Sequence, residues 1–129
     1  MPSVSILLPF RNAASTLDAA IASMAHQSFT DWDLLLIDNA SSDDSSIAHN
    51  WSQRDPRIRV FHRANERKWR IEGHPTGRAN CLDLLQRATG NFVTLLDGDD
   101  GWLDPQKIQR QLDTMVADPS CMGTYHATR

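Results

Sequence analysis

Cysteine is nearly absent: Cys81 and Cys121 are the only two in 129 residues. They form no paired Cys-x-x-Cys pattern, which excludes a four-ligand zinc ribbon or a dithiol redox site and favours reduced structural thiols over a disulfide. Long apolar runs are missing too, and nothing approaches the roughly 20 residues a membrane span requires. The start, Met1-Pro2-Ser3, has neither the basic nor the apolar segment of a signal peptide, so the expectation is a soluble cytoplasmic chain. No charge dominates: 13 Lys and Arg stand against 16 Asp and Glu, a formal net charge of −3. That balance argues against life on a nucleic-acid backbone or an anionic membrane. A Gly-x-x-x-x-Gly-Lys-Ser/Thr loop, a Gly-x-Gly-x-x-Gly turn after the first apolar run, a Gly-x-Ser-x-Gly elbow and a His-Glu-x-x-His pair are all absent, which removes the P-loop, the dinucleotide fingerprint, the hydrolase elbow and the zincin motif.

What is present fits a globular chain of one domain, residues 1–129, with 40% hydrophobic and 22% charged residues. Four short runs, residues 4–8, 34–37, 58–61 and 92–96, are predominantly apolar, broken only by Ser5, Arg59 and Thr94, the pattern of strands covered on both faces, as in a parallel sheet. Helical periodicity lies between them. Leu17, Ile21 and Met24 share a face in residues 15–27, where Ser15 and Asp18 read as a capping box. Residues 45–54 form a shorter helix ending before Asp55-Pro56. Residues 78–88 carry Leu82, Leu85 and Ala88 at helical spacing, with Gly90 as a stop. The last helix opens with Asp104 as N-cap and Pro105 at its first position, and ends before Asp118-Pro119. Strand and helix alternate, which predicts an α/β fold: a mostly parallel open sheet with helices on both faces. Residues 63–77 are the one long irregular stretch, and residues 120–129 are long enough to begin another strand.

Ligands of such sheets bind beyond the carboxyl ends of the strands, and three of the runs end in polar residues. The first leads into Pro9-Phe10-Arg11-Asn12, the second into Asp38-Asn39-Ala40-Ser41, the fourth into Asp97-Gly98-Asp99-Asp100. On an extended segment Asp97 and Asp99 point the same way, and Gly98 allows a close turn; two such carboxylates suit Mg²⁺ or Mn²⁺ held jointly with phosphate oxygens. The alternative is a solvated acidic turn ahead of the next helix. An EF-hand is excluded, because Trp102 and Ile108 occupy the positions its Gly and Glu require. Asp38 and Asn39 suit a ribose or base edge, or equally an Asx turn before a helix. Asp43 and Asp44 read as first-turn acids favoured by the helix dipole. Arg63, Arg67, Lys68, Arg70 and Arg78, with Trp69, His62 and His74, make either a phosphate grip with a stacking ring or a solvated loop.

Four segments in order carry a resemblance. They are Val4-Ser5-Ile6-Leu7-Leu8-Pro9-Phe10-Arg11-Asn12, residues 27–43 with Ile37-Asp38-Asn39-Ala40-Ser41, the turn Asp55-Pro56-Arg57-Ile58, and residues 88–100 ending Leu96-Asp97-Gly98-Asp99-Asp100. Together they resemble the nucleotide-binding half of family 2 glycosyltransferases with the Rossmann-like GT-A fold, from about residue 4 to 118. The resemblance implies inverting transfer of a sugar from a nucleoside-diphosphate donor, most often a UDP-sugar, to a saccharide or lipid-linked acceptor, commonly in envelope polysaccharide synthesis. It implies that Pro9, Phe10 and Asn12 lie beside base and ribose, that Asp38 contacts the nucleoside with Asn39 next to it, and that Arg78 meets phosphate. Asp97 and Asp99 match the family's Asp-x-Asp, with Asp97 at the nucleotide and both on Mn²⁺ or Mg²⁺. The chain departs from the pattern in having Asn39 where a second acid is usual, in its basic residues 67–70, and in the position of Asn80. Family members continue into an acceptor-binding half with a carboxylate general base that nothing here matches, so these residues read as the donor-binding half.

Two other readings compete. One is a noncatalytic nucleotide-binding or interaction module, pairing with another chain or with itself through an exposed sheet edge; it carries no transfer activity. The other is nucleotidyl transfer to a sugar phosphate, which expects a Gly-rich basic loop after the first strand; residues 9–14 contain no Gly.

Overall fold

The computed structural model describes residues 2–63, 69–71, 74–76 and 78–125, with segments 69–71 and 74–76 and Arg78 described by backbone alone. Four parallel strands, β1 (Val4–Phe10), β2 (Trp32–Asn39), β3 (Ile58–Arg63) and β6 (Phe92–Leu95), form a sheet in the order β3-β2-β1-β6. The runs that are apolar in sequence are these strands. β2 is buried along its whole length and β1 at every position but Pro9, because helices cover both sides. Pro9 fits a central strand because β6 pairs with β1 only as far as Leu7, so its missing N–H leaves no ladder bond to β6 unmade.

Alternate residues of each strand serve opposite faces. Val4, Ile6, Leu8 and Phe10 join Leu34, Leu36 and Ile58 in the larger core, under α1 (Leu17–Ala25), α2 (Ser46–Arg54) and part of α4 (Lys107–Ala117). Leu7, Leu35 and Ile37 pack on the other face against Leu84 of α3 (Arg78–Arg87), with Phe61 and Ala88 beside them. Burying a Leu or Ile side chain contributes roughly 1.5–3 kcal/mol, and ten such side chains among the described residues are under 2% exposed.

Local details depart from the sequence expectations. The face of α3 turned to the sheet is Ala79, Asn80, Leu84 and Ala88, while Leu82 and Leu85 are exposed; both sets have helical spacing, and periodicity alone does not choose between them. The cap of α1 is Thr16 without a side-chain cap bond, and its hydroxyl donates to the carbonyls of Ala13 and Gly98 instead. The Ser15–Asp18 box is not formed, and Asp18 accepts Trp51 Nε1–H at 2.8 Å. Helix α4 starts two residues late, capped at Gln106, because the Asp104 carboxylate accepts the Gln106 N–H in an Asx turn. Gly90 stands beyond the helix end for another reason: a Cβ there would lie 2.6 Å from Ser5 N. Within the stretch expected to be irregular, β4 (Trp69–Ile71) and β5 (His74–Thr76) pair antiparallel as a separate two-stranded sheet. Residues 120–125 form no strand. Both cysteines are free, and no helix among the described residues is long and apolar enough to cross a membrane.

Candidate functional site

The sheet order makes β2, β1 and β6 neighbours, so the three polar strand ends read from the sequence meet along one edge. At the end of β6 the chain does not continue extended. Residues 98–99 turn, closed by the Asp100 N–H on the Asp97 carbonyl at 3.1 Å. The turn brings in a third acid: Asp97, Asp99 and Asp100 each place a carboxylate oxygen within 4.8 Å of the others. No other such group of three occurs among the described residues. The spacing argument reached Asp97 and Asp99 by assuming an extended segment; Asp100 is recruited by the turn.

The turn is held from below. Gly98 is buried, and a Cβ on it would stand 3.0 Å from Phe10 Cβ and 3.2 Å from Ala13 Cβ. Its carbonyl accepts the Thr16 hydroxyl at 2.7 Å. The three acids themselves are exposed. Partial shielding from solvent, then the charges of Asp100 and Asp99, raise the Asp97 pKa above its ordinary value. Burial and the Asp97 charge likewise push up the nearby Cys81 thiol. Three exposed carboxylates with hard oxygen donors and no cationic partner among the described residues fit a divalent cation, which would remove the repulsion that adds to the raised pKa of Asp97. An open groove of about 1220 Å³ borders the acids, walled by Trp102, Arg110 and Thr124. A hollow of about 590 Å³ between β6 and α4 holds none of these acids.

The end of β2 is built differently. Asp38 is buried at 6% exposure, and Oδ1 accepts the Ser41 N–H at 2.9 Å. Burial alone would raise its pKa, but bonds from Ser41, the Ser45 hydroxyl and His62 outweigh burial and lower it. The carboxylate is therefore charged and surrounded by neutral or weakly basic donors. Asn39 is buried beside it, and its backbone carbonyl accepts Arg11 Nη1–H at 3.2 Å.

The two strand ends are sewn together by the residues between them. Asn12 holds φ at 51°, a left-handed conformation Asn tolerates better than most residues, and its side-chain carbonyl accepts the N–H of Ser42 at 2.8 Å. Asp43 accepts the Ala14 N–H at 3.0 Å, so it works as a loop tie rather than within the first turn of α2. Phe10 lies in the core at 6% exposure, directly under Gly98. Pro9, next to it in β1, is partly exposed.

Of the basic stretch, Arg63 is committed elsewhere. It donates to Asn80 Oδ1 and to Asp83 Oδ2, both at 2.6 Å, and Asp83 also takes Arg87. That network pins the end of β3 to α3, so Arg63 is neutralised in the fold. The Arg78 backbone opens α3, but its side chain lies outside the described residues, as do those of Arg67, Lys68, Trp69, Arg70 and His74. Sequence reasoning missed Arg11, Thr16 and the pairing of His62 with Asp38. For the last of these, the signal was parallel register, which places His62 opposite Asp38.

Residues 5–128 match the family described as Glycosyl transferase family 2. One similar protein, 37% identical over 101 residues (78% of this chain and 30% of its own length), is the GalNAc(5)-diNAcBac-PP-undecaprenol beta-1,3-glucosyltransferase of Campylobacter jejuni. The mannosyltransferase PcManGT of Pyrobaculum calidifontis, solved with GDP-Man and Mn²⁺, superposes with a TM-score of 0.74 at 21% identity, over 92% of this chain and 33% of that one. The TarS 1–349 fragment of S. aureus with UDP-GlcNAc gives 0.76 at 16% identity, over 99% and 37%. At these identities the two structures speak for the fold, a GT-A type sheet. The chain spans less than half the length of the curated relatives it matches.

Proposed function

Because this chain belongs to glycosyl transferase family 2, we propose that it forms the donor-binding part of an inverting glycosyltransferase that takes a nucleoside-diphosphate sugar together with Mn²⁺ or Mg²⁺. The observation that carries the reading is the cluster of Asp97, Asp99 and Asp100 at the end of β6, on the same sheet edge as the buried Asp38. One end of that edge suits a cation and its diphosphate; the other suits a nucleoside.

Asp97 and Asp99 would hold the cation, with Asp100 adding charge. When bound, the cation supplies Lewis-acid neutralisation of the departing diphosphate. Asp38 accepts an N–H of the base, Asn39 backs it, and Asn12 and Phe10 act by holding the two loops and the acid turn in place. Pro9 borders the ribose, and Arg78 reaches phosphate. The acceptor is a saccharide or lipid-linked saccharide, a reading supported by the Campylobacter relative, whose name gives an undecaprenol-linked substrate. UDP is favoured as the nucleotide, supported by the UDP-GlcNAc held in the TarS fold; Mn²⁺ is supported by the PcManGT complex.

Thermal unfolding with UDP, GDP and their sugar conjugates, each with and without Mn²⁺, tests the reading. A bound ligand at a hundredfold excess over Kd adds roughly 2.7 kcal/mol to stability. The expected outcome is a shift with one nucleotide that needs the metal; a folded chain with no shift under any condition sinks the proposal.

A further inference from the structure

The row of residues crossing the sheet at its carboxyl edge runs Phe10, Asp38, His62, fixed by the register of β1 with β2 and of β2 with β3. Registered residues of parallel strands share a face, here the face of α1 and α2, and Asp38 and His62 extend that row past the last apolar positions, Leu36 and Val60. Asp38 Oδ2 stands 3.4 Å from His62 Nδ1. An ionised carboxylate has no proton to give, so the imidazole proton sits on Nδ1 and His62 is the donor. Burial is lopsided: the Asp38 side chain is 8% exposed and the His62 side chain 54%. The imidazole is thus the solvent-side wall of an otherwise enclosed acceptor.

A carboxylate rotates in a broad well about its last torsion. The Ser41 N–H fixes Oδ1, the Ser41 and Ser45 hydroxyls add bonds to the same carboxylate, and His62 faces Oδ2 from the solvent side. A contact of that length is weak, so it orients more than it stabilises. We propose that His62 is a positioning residue that aims the Asp38 carboxylate at the ring N–H of an incoming base, so that the site selects uracil or guanine over cytosine or adenine. Uracil and guanine present a donor at that ring nitrogen; cytosine and adenine present an acceptor, which an ionised carboxylate repels. The inference rests on the donor-site reading above and gives it a base class.

The test is calorimetric binding of UDP, GDP, CDP and ADP, with Mn²⁺ present, to the full 129-residue chain and to His62→Leu and His62→Asn. Asn keeps an N–H near the place of Nδ1, whereas Leu removes the donor. A hydrogen bond to a charged group corresponds to roughly ten- to a hundredfold in affinity. The chain as it stands should therefore prefer the better of UDP and GDP over the better of CDP and ADP by about tenfold or more. His62→Leu should bring that ratio to about threefold or less, through weaker UDP or GDP binding at an unchanged thermal midpoint, and His62→Asn should restore it. Full selectivity in His62→Leu overturns the role of His62 while leaving Mn²⁺-dependent binding, and with it the donor site, intact. Equal loss in His62→Asn also overturns it, since the donor would then be irrelevant. Absence of binding by every nucleotide to the unaltered chain overturns both readings together.

Discussion

Asp38 and Asp97 are the same residue type at the ends of neighbouring parts of one sheet, yet their surroundings drive them in opposite directions. Asp38 is enclosed, and burial raises its pKa less than its hydrogen bonds from Ser41, Ser45 and His62 lower it. Asp97 is more open, with a pKa raised by partial shielding and by Asp100 and Asp99. The fold completes the first carboxylate with its own donors, whereas the second stands among like charges with no cationic partner among the described residues. An acid already satisfied is an oriented acceptor for a neutral polar group; acids crowded without a counter-charge are a place for a cation.

The largest expected effect comes from breaking the crowded end. Asp99→Asn removes a charge and a hard ligand, so metal-dependent nucleotide binding should fall by about a hundredfold, on the scale seen when charged contacts are lost. Calorimetry with and without Mn²⁺ reads it directly. Next is the satisfied end. Asp38→Ala leaves the Ser41 N–H without its partner and should lower unfolding free energy by about 1–3 kcal/mol, measured by urea denaturation. By contrast, Asp100→Asn should raise the thermal midpoint of the metal-free chain, because it relieves like-charge repulsion. Opposite signs from two Asp replacements on one edge are expected; equal signs would contradict the contrast between the two ends.

Acid titration separates the two ends further. The folded pKa of Asp38 is depressed, so its contribution is present above the ordinary carboxylate value of 3.8 and is lost only as pH falls through the lower folded value. Asp97 has the reverse sign: its raised pKa means that ionising it costs stability as pH rises through the folded value. On acidification, then, the stability difference between the unaltered chain and Asp97→Asn should change first, at higher pH than the difference for Asp38→Asn. Chemical denaturation across the acid range follows both. The smallest effect concerns the turn that presents Asp38. Ala40 holds φ at 54°, where Cβ crowds the backbone, and Ala40→Gly should gain a few tenths to about 1 kcal/mol.

How much of this was legible in the residues follows from the physics of each part. The four sheet strands are readable because each carries a short, predominantly apolar run, most fully in β1 and β2, which are covered on both faces. The β4–β5 hairpin was not: each strand has three residues, too few for any period to register. Helix starts slipped where a side chain chose a competing bond, as Asp104 does with Gln106. At the site, Asp97 and Asp99 were found by spacing, while Asp100 joins through a turn. His62 and Asp38 are separated by 24 residues and meet only through strand register. Arg63 reads in the sequence as part of a phosphate grip or a solvated loop, and its partner Asp83 lies 20 residues on, beyond the reach of local pattern.

The acid turn is the proposed seat of a cation shared with a nucleoside diphosphate. Its most direct measurement is a Mn²⁺ titration followed by electron paramagnetic resonance, in the presence of UDP or GDP, on the unaltered chain and on Asp99→Asn. The prediction is loss of the free Mn²⁺ signal with the unaltered chain beyond what the nucleotide alone removes, and no such additional loss with Asp99→Asn. Identical titrations for the two proteins would contradict it.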